Sequence, residues 1–166
     1  MDRQSTDLAV TTTDGQMLTF SLGAETYGVN ILRVKEIRGW SAVTRIPQSP
    51  PHMLGVLNLR GAIVPIIDMR LRFSLESAEF LPTTVIIVLS LHAEDGQREC
   101  GIVVDSVSDV VDVAPESIKP PPTLNGGGSS DFINGLATVD DRMLILLNVD
   151  DLVLSDLGPI GEIKAA

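Results

Sequence analysis

Apolar and polar positions alternate along much of the chain in short runs, and turn residues separate the runs. Leu18, Phe20 and Leu22 alternate with Thr19 and Ser21; after Gly23, Ala24 and Glu25 the alternation resumes at Tyr27, Val29 and Ile31, which predicts a β-hairpin. From Ile31 the apolar spacing changes to three, through Val34 and Ile37, and predicts a short helical piece ended by Gly39. Val43 to Ile46 is a brief strand candidate before Pro47, Pro50 and Pro51 impose an extended connection. Met53–Leu59 and Ala62–Ile67 are expected as strands around an Arg60–Gly61 turn. Pro65, with no N–H to give a ladder, marks the second of them as an edge or bulged strand. Asp68 is placed to N-cap a helical turn through Phe73.

The second half follows the same logic. An apolar run from Val85 to Leu91, an Asp95–Gly96 turn and a returning strand from Glu99 to Asp105 predict a hairpin. Val107 to Val113 continues as strand, and Pro115 to Ile118 as a turn of helix or an extended loop. Pro120 to Pro122 open a loop that runs through Gly126, Gly127, Gly128, Ser129 and Ser130, flexible by composition. Ile133–Val139 and Met143–Val149 form a last hairpin about Asp140 and Asp141; Met143 to Leu147 is apolar throughout, so this strand is expected to be covered on both faces. Asp150 is the expected cap of a final short helix through Leu157. About ten short strands with turns between them argue for an all-β fold of two small barrels sharing strands, with one Greek-key sandwich as the alternative.

Composition narrows the chemistry. Of 166 residues, 44% are apolar but only 4% aromatic, so a core must be built from Val, Ile and Leu. Twelve Lys and Arg against 22 Asp and Glu give a net charge of −10, which repels phosphate backbones and anionic membrane surfaces. An oligonucleotide-binding barrel, the rival reading from another class, would need a basic groove with stacking rings. Cys100 is the sole cysteine and sits in a strand pattern, so it is expected in the core, with no intrachain disulfide. His52 and His92 have no ligand-spaced partners; no nucleophile elbow or phosphate loop is present, and Asp105, Asp109 and Asp112 are read as a solvated acidic face. Met1 to Gly15 is polar, without a signal-peptide pattern, and reads as a disordered tail. No apolar run approaches the roughly 18 residues needed to span a bilayer.

Gly55 to Arg70 reads Gly-Val-Leu-Asn-Leu-Arg-Gly-Ala-Ile-Val-Pro-Ile-Ile-Asp-Met-Arg, and this segment closely resembles the signature of the CheW family. Leu18–Leu22 with Tyr27, Gly28 and Val29, the run Val34 to Gly39, Gly101 to Val110, and Asp141 to Asn148 resemble its other motifs in order. The resemblance implies two intertwined five-stranded barrels, SH3-like or OB-like, over residues 16–152, in subdomains of about 16–80 and 81–152 with strand exchange between them, followed by a short helix and tail at 153–166. It implies a non-catalytic, cofactor-free adaptor standing alone, cytoplasmic and recruited to the inner membrane through receptors. Its implied partners are the regulatory domain of the histidine kinase CheA and the cytoplasmic tip of methyl-accepting chemoreceptors, with an adaptor of a related surface-motility pathway as the alternative. Val34, Glu36, Arg60, Val107 and Val110 are the receptor-binding candidates it implies, and Gly55, Gly135 and Leu136 the kinase-binding ones. Glu36 is the carboxylate expected to pair with Arg60. Val107 and Val110, three apart in a strand, are expected on opposite faces with one exposed. A glycine at 135 fits a bulge or a close approach by a partner.

Overall fold

The computed structural model describes residues 15–73, 80–93, 96–120 and 133–157. The expected N-terminal tail apart from Gly15, the Asp95 half of one turn, the Gly126–Ser130 loop and the tail from Gly158 lie outside them. The described strands are β1 (Gln16–Leu22), β2 (Glu25–Asn30), β3 (Val34–Gly39), β4 (Met53–Leu59), β5 (Ala62–Asp68), β6 (Val85–Ala93), β7 (Gly96–Val104), β8 (Ser106–Asp112), β9 (Ile133–Val139) and β10 (Arg142–Leu147). Two short helices, α1 (Met69–Arg72) and α2 (Val149–Leu157), follow β5 and β10.

The strands form two five-stranded sheets, ordered β8-β1-β2-β10-β9 and β3-β6-β7-β5-β4. The first gathers both ends of the chain, while the second is continuous in sequence, so sheet membership does not follow the halves 16–80 and 81–152. Each sheet joins a three-stranded antiparallel unit to a hairpin through one parallel contact, β2 with β10 and β5 with β7. The hairpins turn on Arg60–Gly61 and Asp140–Asp141, where all four residues have φ between 52° and 87°, the signature of type I′ turns. Each hairpin's outer strand also takes one bridge from an incoming segment, Thr44 to Val56 and Lys119 to Leu136.

Every strand sees apolar contacts on one or both faces. Leu18, Phe20 and Leu22 of β1 meet Ile87, Leu89 and Leu91 of β6, and Cys100, Ile102 and Val104 of β7, in a core between the sheets. Val64, Ile66, Ile86, Val88 and Val103 line a second core inside the second sheet, and Val113, Ala137, Leu144 and Leu146 a third inside the first. Both sheets therefore curl. Arg142 of β10 reaches Asp109 of β8 at 3.7 Å across two intervening strands, and Glu36 of β3 meets the β4–β5 turn at 2.6 Å although β3 and β4 are opposite edges. Cys100 is fully buried, as the strand pattern requires.

Four local expectations are corrected. The helical piece over Ile31 to Ile37 is only a 3-10 turn, Ile31–Arg33, capped by Asn30, whose Oδ1 accepts from the Leu32 N–H at 2.8 Å; the rest is β3. A bulge at Lys35 lets Val34 and Ile37 both lie opposite one face of β6, at Leu89 and Ile87, so the spacing of three marked a bulge and not a helix. Asp150 lies inside the first turn of α2; Asn148 is the cap, its Oδ1 accepting from the Asp151 N–H at 3.2 Å, while Asp150 turns to Arg33. Met143, expected to be covered, is 57% exposed, although Leu144, Leu146 and Leu147 beside it are buried. Pro65 does not mark an edge or a bulge: β5 lies between β7 and β4, the register shift falls in β4 between Met53 and Gly55, and the proline sits one residue before the β5–β7 ladder begins. The Asp68 cap of α1 holds, accepting from the Arg70 N–H at 2.9 Å.

Candidate functional site

The β4–β5 turn aims Arg60 outward. Asn58 Oδ1 accepts from the Gly61 N–H at 3.0 Å and closes the turn from beneath, and Gly61 takes a φ of +87° that a side chain disfavours. Arg60, at φ +52°, keeps its side chain 70% exposed while Nη2 donates to Glu36 Oε1 at 2.6 Å. Glu36 Oε2 accepts from Arg38 Nη1 at 3.1 Å, so one carboxylate holds two guanidinium groups. Hydrogen bonds from Arg60 and then Arg38 hold the Glu36 carboxyl below the ordinary carboxylate range, and Glu36 in turn raises Arg60. A pair this exposed adds little to folding, because water screens it. What it does is orient Arg60, leaving most of the guanidinium's donors facing solvent.

The aliphatic candidates lie at the seam between the sheets. Val34 and Val107 pack against the central core from the two edge strands β3 and β8. Val107 and Val110 do not point to opposite faces: β8 pairs Val107 with Phe20 and Val110 with Leu18, both core residues of one face of β1, and the register shifts between them. Thr19 holds that bulge, its Oγ1 donating to the Asp109 carbonyl at 2.9 Å and to Asp109 Oδ1 at 2.6 Å and accepting from the Asp109 N–H at 3.1 Å. Val110, 47% exposed, is the exposed member of the pair. Glu36 and Arg60 are brought together, and Val34 and Val107 share a core.

The kinase-binding candidates divide differently. Gly55 and Gly135 are both buried, and each lies under a bridge from an incoming segment. A Cβ at Gly55 would collide with the Thr44 carbonyl, coming within 2.7 Å of its carbon, and a Cβ at Gly135 would sit 2.5 Å from Ile118 Cγ2 and 2.7 Å from the Lys119 oxygen. Internal close approach accounts for both glycines. Leu136, half-buried, lines an open groove of about 410 Å³ with Glu116, Lys119, Thr138 and the exposed Met143.

Charged residues outside the candidate set carry the deeper contacts. Arg70 is buried, its Nε and Nη2 forking onto Asp68 Oδ1 and Oδ2 at 2.9 and 3.0 Å, with Nη1 3.3 Å from Asp105 Oδ1. The guanidinium carbon lies 5.0 Å over the Phe80 ring, which stacks on Trp40 at 4.0 Å. Asp-x-Arg at the end of an apolar strand was the available signal for this pair, although sequence reasoning took Asp68 as a cap alone.

Comparison with known proteins agrees with this architecture. A family model described as the CheW-like domain matches residues 16–156. The chemotaxis protein CheW of Klebsiella aerogenes is 44% identical over 90% of this chain and 87% of its own. A probable chemotaxis protein CheW of Rhizobium etli is 39% identical over 84% and 87%. The solved structure of the scaffolding protein TtCheW from Thermoanaerobacter tengcongensis superposes with a TM-score of 0.74 at 32% identity, covering 84% of this chain and 87% of that one. With its motifs, its paired five-stranded sheets and these matches over nearly its whole described length, the chain belongs to the CheW-like domain family.

Proposed function

We propose that this chain is a non-catalytic chemotaxis adaptor that couples the cytoplasmic tip of methyl-accepting chemoreceptors to the regulatory domain of the histidine kinase CheA. Relatives named as chemotaxis proteins and a neighbour titled a scaffolding protein support the class of function. In this reading the protein works in the cytoplasm and reaches the inner membrane through its receptors; no described helix is long and apolar enough to cross a bilayer. The receptor surface consists of Val34, Val107 and Val110 as aliphatic anchors for an amphipathic helix, beside the Glu36–Arg60 pair. Leu136 and Met143 offer apolar contact to the kinase domain, while Gly55 and Gly135 shape the strands beneath the two docking ends.

The observation that carries the reading is Arg60: a guanidinium pinned at one end by Glu36, on a rigid turn, with most of its surface presented to solvent. Arginines held this way are favoured as interface anchors because little side-chain freedom remains to be lost on binding. The Arg60→Ala variant tests it by thermal unfolding and by separate titrations with a receptor-tip fragment and the kinase domain. An interface role reduces affinity about thirtyfold with the melting temperature nearly unchanged. Unaltered affinity for both partners would remove Arg60 from the site.

A further inference from the structure

Among the described residues the chain passes from one sheet to the other in two places, and each passage carries a charged contact. Between β2 and β3, Arg33 donates to Asp150 of α2 at 2.9 and 2.6 Å and to the Ser90 carbonyl of β6 at 3.0 Å. Between β7 and β8 the passage is a single residue, Asp105. Its backbone N–H donates to the Ser21 carbonyl at 3.1 Å, and its Oδ2 accepts from the Gly23 N–H in the β1–β2 turn at 2.8 Å. Its other oxygen faces Arg70 of α1 at 3.3 Å. The first sheet's opening turn is thus joined through Asp105 to Arg70, then by ring contacts to Phe80 and to Trp40 at the end of β3.

The two ends of this chain of contacts are next to the two strands that carry the aliphatic receptor candidates. β8, with Val107 and Val110, begins at the residue after Asp105; β3, with Val34, ends at the residue before Trp40. A one-residue crossing has no slack, so any change in its dihedral angles is passed to β8 as a rotation of one sheet against the other. We propose that Asp105 is a positioning residue for receptor binding, its carboxylate fixing the angle between the sheets and with it the spacing of Val34 from Val107 and Val110. This inference rests on the receptor-binding reading above.

The Asp105→Asn variant removes the charge and keeps the shape, and Asp112→Asn on the exposed part of β8 makes the same change of net charge as a control. Residual dipolar couplings report the angle between the sheets without any partner; the angle moves in Asp105→Asn and stays in Asp112→Asn. Receptor-fragment affinity falls about tenfold in Asp105→Asn while kinase-domain affinity holds, because the two docking ends proposed for the kinase each lie within one sheet, Gly55 in the second and Gly135 with Leu136 in the first, whereas the receptor anchors span both. Should Asp105→Asn fail to fold, Asp105→Glu keeps the charge and displaces it by one methylene, giving the same two readouts. Equal affinities and an unchanged angle overturn the role of Asp105 and leave the receptor reading standing, whereas equal loss for both partners reduces Asp105 to a stability residue and overturns the role too. A wild-type chain that binds no receptor fragment sinks the functional reading and this inference with it.

Discussion

Four glycines allow steric crowding and backbone strain to be varied independently, and alanine at each gives a ranked set of stabilities. A Cβ at Gly39 meets nothing within 4 Å and needs no unusual backbone. At Gly61 the space is also open, but φ is +87°. Gly135 has the reverse problem, with Ile118 and Lys119 crowding an ordinary backbone, and Gly55 combines φ +154° with a collision against the Thr44 carbonyl. Alanine at Gly39 therefore stabilises by about 0.5 kcal/mol through the unfolded chain's lost freedom. Strain alone makes Gly61→Ala cost about 1 kcal/mol, and crowding alone makes Gly135→Ala cost about 2 kcal/mol. With both, Gly55→Ala costs about 4 kcal/mol, a fall in melting temperature of roughly 15 °C for a domain of this size. Thermal and urea unfolding of the four variants measure the order. A Gly55→Ala protein no less stable than Gly61→Ala, with kinase binding lost, would refute the packing argument and return Gly55 to the interface.

Three further outcomes follow from the charges and turns. Arg70→Met leaves Asp68 buried without its fork and costs about 3 kcal/mol or more, while Asp68→Leu combined with Arg70→Met recovers much of that loss; a double-mutant cycle in urea reads both. Burial would raise the Asp150 carboxyl, but hydrogen bonds from Arg33 and the His92 N–H outweigh it and hold it below its usual value. The folded state therefore binds this proton later than the unfolded chain as the pH falls, so the stabilisation is complete above about pH 5 and fades below about 4. Stability curves of wild type and Asp150→Asn should accordingly converge in acid, and parallel curves would contradict the pairing. Asp141→Gly relieves a left-handed aspartate in the β9–β10 turn and stabilises by about 0.5–1 kcal/mol in thermal unfolding.

Strands were legible wherever alternation was strict, as in Leu18–Phe20–Leu22, because a pleated strand with one buried face permits no other pattern. Two of the misread stretches share one cause. Ile31–Val34–Ile37 and Val107–Val110 are spaced by three, which in an unbroken chain means helix or opposite faces; in both places a bulge shifts the phase and returns the residues to one face. A bulge depends on the partner strand's register, which local sequence does not contain. The Glu36–Arg60 pairing was anticipated from motif resemblance, since the two residues are far apart in the chain and meet only when the second sheet curls. Asp105 was grouped with exposed carboxylates because nothing in its neighbourhood announces Arg70, which reaches it from another element.

The first sheet is assembled from strands that leave the ribosome both before and after those of the second. β1 and β2 pair with each other early, but their lateral partners β8 and β10 arrive only after every strand of the second sheet has been made. Until β6 and β7 are made the face carrying Leu18, Phe20 and Leu22 is open to water, and joining β2 to β10 requires closing a very long loop. The second sheet has no such delay, because its five strands are consecutive. Its outer face, with Ile87, Leu89 and Ile102, is the surface against which the waiting hairpin can be collected during translation. The second sheet thus offers the segments on either side of it a ready apolar surface to pack on.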